Sequence, residues 1–330
     1  MKKLLITGGA GLVGSFIARQ ALKDSIVHQV VILDHFGRYV DSLREEFFDY
    51  RKHRFADFAD RVFVERGDAS HFGVLRHCLE KHEPEYIIHL AALPLAKLPN
   101  LNVEEAREGS VDSTAYMLEC ISEMSRRNGY MPSRIVYASS SMVYGDFQSE
   151  IATEDHRTNP KEIYGTMKLA GEVLMNGLGQ FFSIPYSIVR PSAVYGPTDM
   201  NRRVSQIFLE KAALKQKINV QGATEKLDFT YVKDVANGFL LCATQDGALG
   251  ETFNITHGKA NTLLDYVECL SKHFPDIDVE VTERDAFRPR RGTLSIEKAR
   301  KAIGYEPQYT LQEGVDEYVS FFRENHPLMK

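Results

Sequence analysis

The chain has 330 residues, 43% of them hydrophobic and 26% charged, and a formal charge of -5. That length can bury a sizeable core in one large domain or two lobes, and the mixed charge excludes the basic field of a nucleic-acid or membrane-surface protein. Cys78, Cys120, Cys242 and Cys269 show neither C-x-x-C nor zinc-ligand spacing, so reduced, mostly buried thiols and no metal site are expected.

In chain order, "KLLIT" (3–7) reads as a buried strand, and Gly8 and Gly9 end it far short of a signal-peptide core. No stretch approaches the roughly 20 apolar residues of a membrane span, so a cytoplasmic chain is expected. The strand runs into "TGGAGLVG", with Gly8, Gly11 and Gly14 spaced G-x-x-G-x-x-G, and then into a helix marked by Leu12, Phe16, Ile17 and Ala21. Strand, glycine turn and helix in this order form a phosphate cradle, because bare backbone approaches a pyrophosphate and the helix N–H groups point at it. Leu12 and Val13 join the three glycines in that contact.

"QVVILD" (29–34) is the second strand, and its final Asp34 stands where a dinucleotide fold places the acid that binds the adenosine ribose hydroxyls. His35, Phe36 and Gly37 follow before Arg38, so a 2′-phosphate would meet Asp34 unpaired, and NAD is preferred over NADP. Residues 35–60, charged and aromatic, read as a partly helical, solvated insertion. "RVFVERGD" (61–68) brings Asp68 and Ala69 to the adenine end, and "YIIHLAA" (86–92) brings Leu90, Ala91 and Ala92, small enough to let a cofactor lie across the strand ends. "RIVYASS" (134–140) and "YSIVRPS" (186–192), the latter carrying Pro191, complete the set. Amphipathic helices between these runs predict an α/β fold, a Rossmann-type doubly wound parallel sheet with a smaller C-terminal α/β substrate lobe. Residues 1–185 would hold the cofactor and catalytic groups, and 186–330 mainly the substrate, with some chain returning to the first domain. Near the end, Thr310 and Glu313 have capping-box spacing.

Tyr164 and Lys168, in "YGTMK", share one helical face. A free Tyr titrates near 10, so a usable phenolate base needs positive charge beside it, which the Lys and an oxidised nicotinamide would supply. Ser139, Ser140 and Ser141 end the fifth run, where a hydroxyl can hold a substrate oxygen and relay a proton.

The glycine loop, Asp34, "HLAA", "SSSMVYG", "YGTMK" and "RPSAVYGP" occur in the order found in the extended short-chain dehydrogenase/reductase family, in its NAD-dependent epimerase/dehydratase branch. The resemblance continues through "LDFTYVKDVANG" (227–238) and "IGYEPQYTLQEGV" (303–315). It implies bound NAD, a nucleotide-diphosphate sugar substrate, Ser140, Tyr164 and Lys168 as the catalytic trio, and a homodimer formed by long helices at about 104–127 and 160–181. Members that are 4,6-dehydratases follow the hydroxyl residue with Asp-Glu, and uronic-acid decarboxylases carry a Glu at the second place; here Ser141 and Met142 stand there. The resemblance therefore implies a C4 epimerase, with a 4-dehydrogenase or ketoreductase left open, and a nucleotide sensor disfavoured by the intact Tyr164 and Lys168.

Three places depart from the family pattern: Ser110 and Ala193 replace Asn residues, and Leu227, beside Lys226, replaces an Arg. The last two positions normally touch the substrate diphosphate. Arg202 and Arg203, or Arg288, Arg290 and Arg291 in "RPRRG", are candidate replacements, and Ser140, Ser141, Ala193, Arg202, Arg203 and Arg288 make up the expected substrate set.

Overall fold

Strands form at the six apolar runs: Lys3–Thr7 (β1), Gln29–Asp34 (β2), Val62–Arg66 (β3), Tyr86–His89 (β4), Arg134–Ala138 (β5) and Tyr186–Pro191 (β6), all largely buried except the edge strand β3, which leaves Phe63 and Val64 exposed. With Thr252–Ile255 (β7) they make one parallel sheet in the order β7-β6-β5-β4-β1-β2-β3. The computed structural model describes residues 2–37, 48–93, 102–286 and 288–329. The sheet grows outward from β1 in both directions, so the order reverses between β1 and β4, the switch point at which such sheets bind ligands. β7 is not among the expected runs: "TFNI" is too short and too closely flanked by glycines for periodicity to mark it.

Helices Leu12–Lys23 (α1), Phe72–His82 (α2), 103–128 (α3), Ile163–Phe181 (α4), Val204–Ala213 (α5), Val232–Thr244 (α6) and Leu311–Asn325 (α7) cover the sheet or build the second lobe. On one face, Ile17 and Ala21 of α1 pack with Val235 and Phe239 of α6 over Ile6, Ile32 and Val136. On the other, Leu75 of α2, Leu118 of α3 and Met175 of α4 cover Leu5, Ile87 and Ile135. A third core joins Tyr195, Phe208, Tyr231, Tyr266, Val315 and Phe322 beside Leu12, so β6, α6 and β7 belong to the main sheet layers while their connections build the lobe. Thr310 and Glu313 form the capping box that starts α7.

Helix α3 widens into a π-turn at Glu108–Asp112, where Ser110 is buried and its carbonyl accepts the Thr114 hydroxyl at 2.6 Å. Such turns interrupt α-helices most often beside functional sites. The expected solvated insertion is corrected at two residues of its described part: Tyr50 is 6% exposed and Arg54, in a short helix Arg51–Phe55, is 4% exposed. Of these, Arg54 carries the charge. It donates to Ala10 O and, at 3.2 and 2.5 Å, to the hydroxyl and carbonyl of Thr198. A buried guanidinium is tolerable when hydrogen bonds replace its water. Arg38 lies outside the described residues. Among those described, no helix is long and apolar enough to cross a membrane, and no group of three or more His, Cys, Asp or Glu could hold a metal.

Candidate active site

At the end of β1, Gly8 adopts φ +67°, a conformation that costs a side-chain-bearing residue strain. A Cβ there would sit 3.1 Å from the Ala91 backbone, so the glycine loop lies directly on the end of β4. Leu90 N–H donates to Thr7 O at 3.1 Å and Ala91 N–H to Thr7 Oγ1 at 3.3 Å, holding that stretch, with Ala92 next, against β1. Gly11 is the N-cap of α1 and no side chain caps the helix. The first N–H groups, on Leu12, Val13 and Gly14, have no intrahelical acceptor, and the positive end of the dipole adds to them.

Asp34 closes β2 beside this loop, its carboxylate accepting Ala10 N–H at 3.0 Å and Phe36 N–H at 2.7 Å. Among the described residues the charges of Arg51 and Arg54 both act on Asp34; Arg51 donates to Phe36 O at 3.3 Å and is itself paired with Asp49, and Arg54 donates to Ala10 O. Asp68 accepts both the N–H and the hydroxyl of Ser70 at 2.8 Å in the turn beside buried Ala69, and Pro191 ends β6. The bare cradle, the uncapped helix start and the acid at the second strand fit an adenine dinucleotide.

The expected catalytic trio comes from two elements that the structure presses together. The Glu162 carboxylate caps α4, accepting Tyr164 N–H at 2.9 Å and Gly165 N–H at 2.8 Å. A Cβ on Gly165 would lie 2.7 Å from Met142 O, so the first turn of α4 rests on the 3-10 turn Ser141–Tyr144 that follows β5. Close approach through a residue without a side chain is what brings Tyr164 to Ser140, whose hydroxyl acts on the phenol. One turn along, Lys168 is 1% exposed, donates from Nζ to Ala138 O at 2.6 Å, and holds Nζ 5.9 Å from the Tyr164 ring centroid.

Burial pushes the Tyr164 phenol up to about 12 while the Arg203 charge pulls it down, Glu162 pushes it up and the Ser140 hydrogen bond pulls it down. Burial draws the Lys168 ammonium down to about 7, opposed by the Glu172 carboxylate. The protein alone therefore leaves the phenol a poor base at neutral pH, and a further positive charge beside it is needed.

Glu172 is a residue that sequence reasoning missed, although Tyr164, Lys168 and Glu172 recur every four positions and so share a helical face. It is 3% exposed and accepts from Arg190 Nε at 2.8 Å, Arg190 Nη2 at 2.6 Å and the Ser139 hydroxyl. Ser139 thereby anchors the strand end that presents Ser140. His89, at the end of β4, bonds Thr7 at 2.7 Å and Ser113 at 3.2 Å, and burial holds its pKa down at about 3, so the ring is neutral.

The substrate-side candidates separate. Arg203, the N-cap of α5, donates to Val194 O at 3.3 Å and acts on Tyr164. Its neighbour Arg202 has φ +54° and pairs with Glu210 on α5. Ala193 has φ +35° and its carbonyl accepts Thr230 N–H at 3.3 Å, a backbone contact where the family pattern has an amide side chain. Arg288 is exposed and pairs with Asp285 at 3.3 Å, and Arg290 bonds through its backbone to Asp146 and Phe147. From "RPRRG" it is Arg291 that reaches the turn Ser141–Tyr144, donating from Nη1 to Ser141 Oγ at 3.4 Å.

Comparison with known proteins identifies the family and the fold. The model of the NAD dependent epimerase/dehydratase family matches residues 4–256. A UDP-glucose 4-epimerase of Mycolicibacterium smegmatis is 28% identical over 334 residues, covering 97% of this chain and 98% of that one. The UDP-glucuronic acid 4-epimerase of Bacillus cereus, solved with UDP-glucuronic acid and NAD, superposes with a TM-score of 0.86 at 24% identity, over 98% of this chain and 99% of that one. A dTDP-glucose 4,6-dehydratase of Streptomyces venezuelae gives 0.85 at 23%, over 99% of each chain. At those identities the structural likeness is one of fold, shared by epimerase and dehydratase alike.

Proposed function

The chain belongs to the NAD-dependent epimerase/dehydratase family, and from that premise we propose that it epimerises a nucleotide-diphosphate sugar at C4. The observation that carries this reading is the make-up of the turn around Tyr164. Ser140, Tyr164 and Lys168 stand together, whereas Ser141 and Met142, both buried, hold the two places where elimination of water asks for an acid and a base. Glu162, the carboxylate that acts on Tyr164, is engaged in capping α4.

NAD, held by Gly8, Gly11 to Gly14 and Asp34, supplies the hydride acceptor and donor at C4 when bound. Tyr164 takes the C4 hydroxyl proton and returns it, Ser140 holds the same oxygen and passes the proton through its own hydroxyl, and Lys168 stabilises the phenolate. Turning the 4-keto sugar over between the two half-reactions inverts the carbon, and this requires no carboxylate. The same reading makes the protein a homodimer through α3 and α4, and the outer face of α4 leaves Val173 and Phe181 64% and 79% exposed.

Turnover of a panel of UDP-, GDP-, dTDP- and CDP-sugars, with product NMR and measurement of nicotinamide released on denaturation, tests this. A C4 epimer formed with cofactor retained is the expected result. Net consumption of added nicotinamide, or protein isolated with no bound nicotinamide, overturns it.

A further inference from the structure

Arg291 is the arginine around the cleft that combines partial burial with no ion pair among the described residues; Arg290, also without one, is exposed. Arg284 pairs with Glu225 at 2.6 Å, Arg288 with Asp285, Arg202 with Glu210, and Arg203 reaches Asp199 at 3.9 Å. Arg291 is partly buried and donates to the Ser141 hydroxyl. The carboxylates that act on it, Glu162 and Glu225, are committed to the α4 cap and to Arg284, and Arg288 adds like charge. A half-desolvated guanidinium short of negative charge favours an anionic ligand.

Its position is built rather than incidental. Arg290 N–H donates to Asp146 at 2.7 Å, Phe147 N–H to Arg290 O at 2.9 Å, and Thr293 N–H to Glu150 O at 3.2 Å. Thr293–Leu294 then pairs in parallel with Ile151–Ala152, and the buried Asp228 carboxylate accepts Leu294 N–H at 3.1 Å. Arg291 is thus clamped over the turn that carries Ser140 and Ser141.

Which part of a sugar lies there follows from ring geometry. In the proposed reaction Ser140 and Tyr164 share the C4 oxygen, and the Ser140 hydroxyl does act on the Tyr164 phenol, so C4 lies at Ser140 and Ser141 is the next residue. In a pyranose the C6 substituent sits on the carbon adjacent to C4, whereas the anomeric diphosphate leaves from C1, across the ring. We infer that Arg291 receives a carboxylate at C6, so that the substrate is a nucleotide-diphosphate uronate rather than the neutral hexose. This rests on the C4 epimerase reading for the placement of the sugar.

The experiment uses the NAD-loaded protein and matched pairs on one nucleotide, UDP-glucose with UDP-glucuronate and GDP-mannose with GDP-mannuronate. Calorimetric affinity and NMR-monitored turnover are measured for the wild type, Arg291→Gln and Arg291→Lys. For one pair the uronate binds at least ten times tighter than its hexose. Arg291→Gln loses roughly 10- to 100-fold in uronate affinity, as expected for a charged hydrogen bond; hexose affinity moves less than threefold, and Arg291→Lys recovers part of the loss. Equal loss of both sugars and of UDP itself would assign Arg291 to the diphosphate and overturn the inference, as would no uronate preference in any pair. Uronate preference lost in Arg291→Gln without C4 turnover in the wild type would sink the epimerase reading and leave the carboxylate site standing.

Discussion

Replacing Glu172 by Gln tests the support beneath the helix that carries Tyr164 and Lys168. The side chain keeps its volume and an acceptor oxygen for Ser139, but the Arg190 guanidinium, 6% exposed, loses the carboxylate that accepts from it at 2.8 and 2.6 Å. Breaking one partner of a buried pair costs about 3–5 kcal/mol. Arg190 keeps Nη1 bonds to Tyr144 at 2.9 Å and Glu154 O at 3.0 Å, which places the expected loss near the lower end, about 3 kcal/mol. Urea unfolding followed by far-UV circular dichroism measures it, since the chain has no Trp to report by fluorescence. Glu172→Leu combined with Arg190→Met removes both charges and should cost less than the single change. Loss of Glu172 also removes the charge that holds the Lys168 ammonium up against burial. Its pKa then falls below about 7, and because the proposed mechanism uses the protonated form, the alkaline limb of the rate profile is expected to move to lower pH. A loss under about 1 kcal/mol, or a double variant less stable than the single, would refute the account of this pair.

Tyr164→Phe should lose several orders of magnitude of turnover and retain bound NAD; near-normal turnover would remove Tyr164 from the chemistry. Arg203→Ala removes a charge that pulls the Tyr164 phenol down, so the rising limb of kcat should shift to higher pH, and an unmoved profile would place Arg203 outside the site. Arg202→Ala leaves the largely buried Glu210 without its guanidinium and should cost roughly 1–3 kcal/mol of stability with an unchanged KM. A raised KM would assign Arg202 to the substrate after all. Gly8→Ala forces a Cβ to 3.1 Å from Ala91 at φ +67°, and should cost about 1–2 kcal/mol and release NAD on purification. Retained cofactor at wild-type stability would count against the close approach.

The parts of this protein that its sequence determines by itself are local ones. A strand, a glycine turn and a helix follow one another within residues 3–23, Asp34 ends the next buried run, and Tyr164 and Lys168 share a face because a helix repeats every 3.6 residues. The tertiary structure decides which of several equivalent side chains is used. Arg202 and Arg203 are neighbours with the same chemistry, yet a positive φ at one and a helix N-cap at the other send them to different partners. Arg288 and Arg291 are three residues apart, and the clamp between 290–294 and 146–152 selects Arg291. Glu172 meets Arg190 across elements no periodicity connects, and β7 joins the sheet through pairing with β6 that four short residues cannot announce. Covalent order and periodicity set where elements form; the partner of each charge depends on backbone contacts made far away along the chain, and those arise only when the sheet and the second lobe have closed on each other.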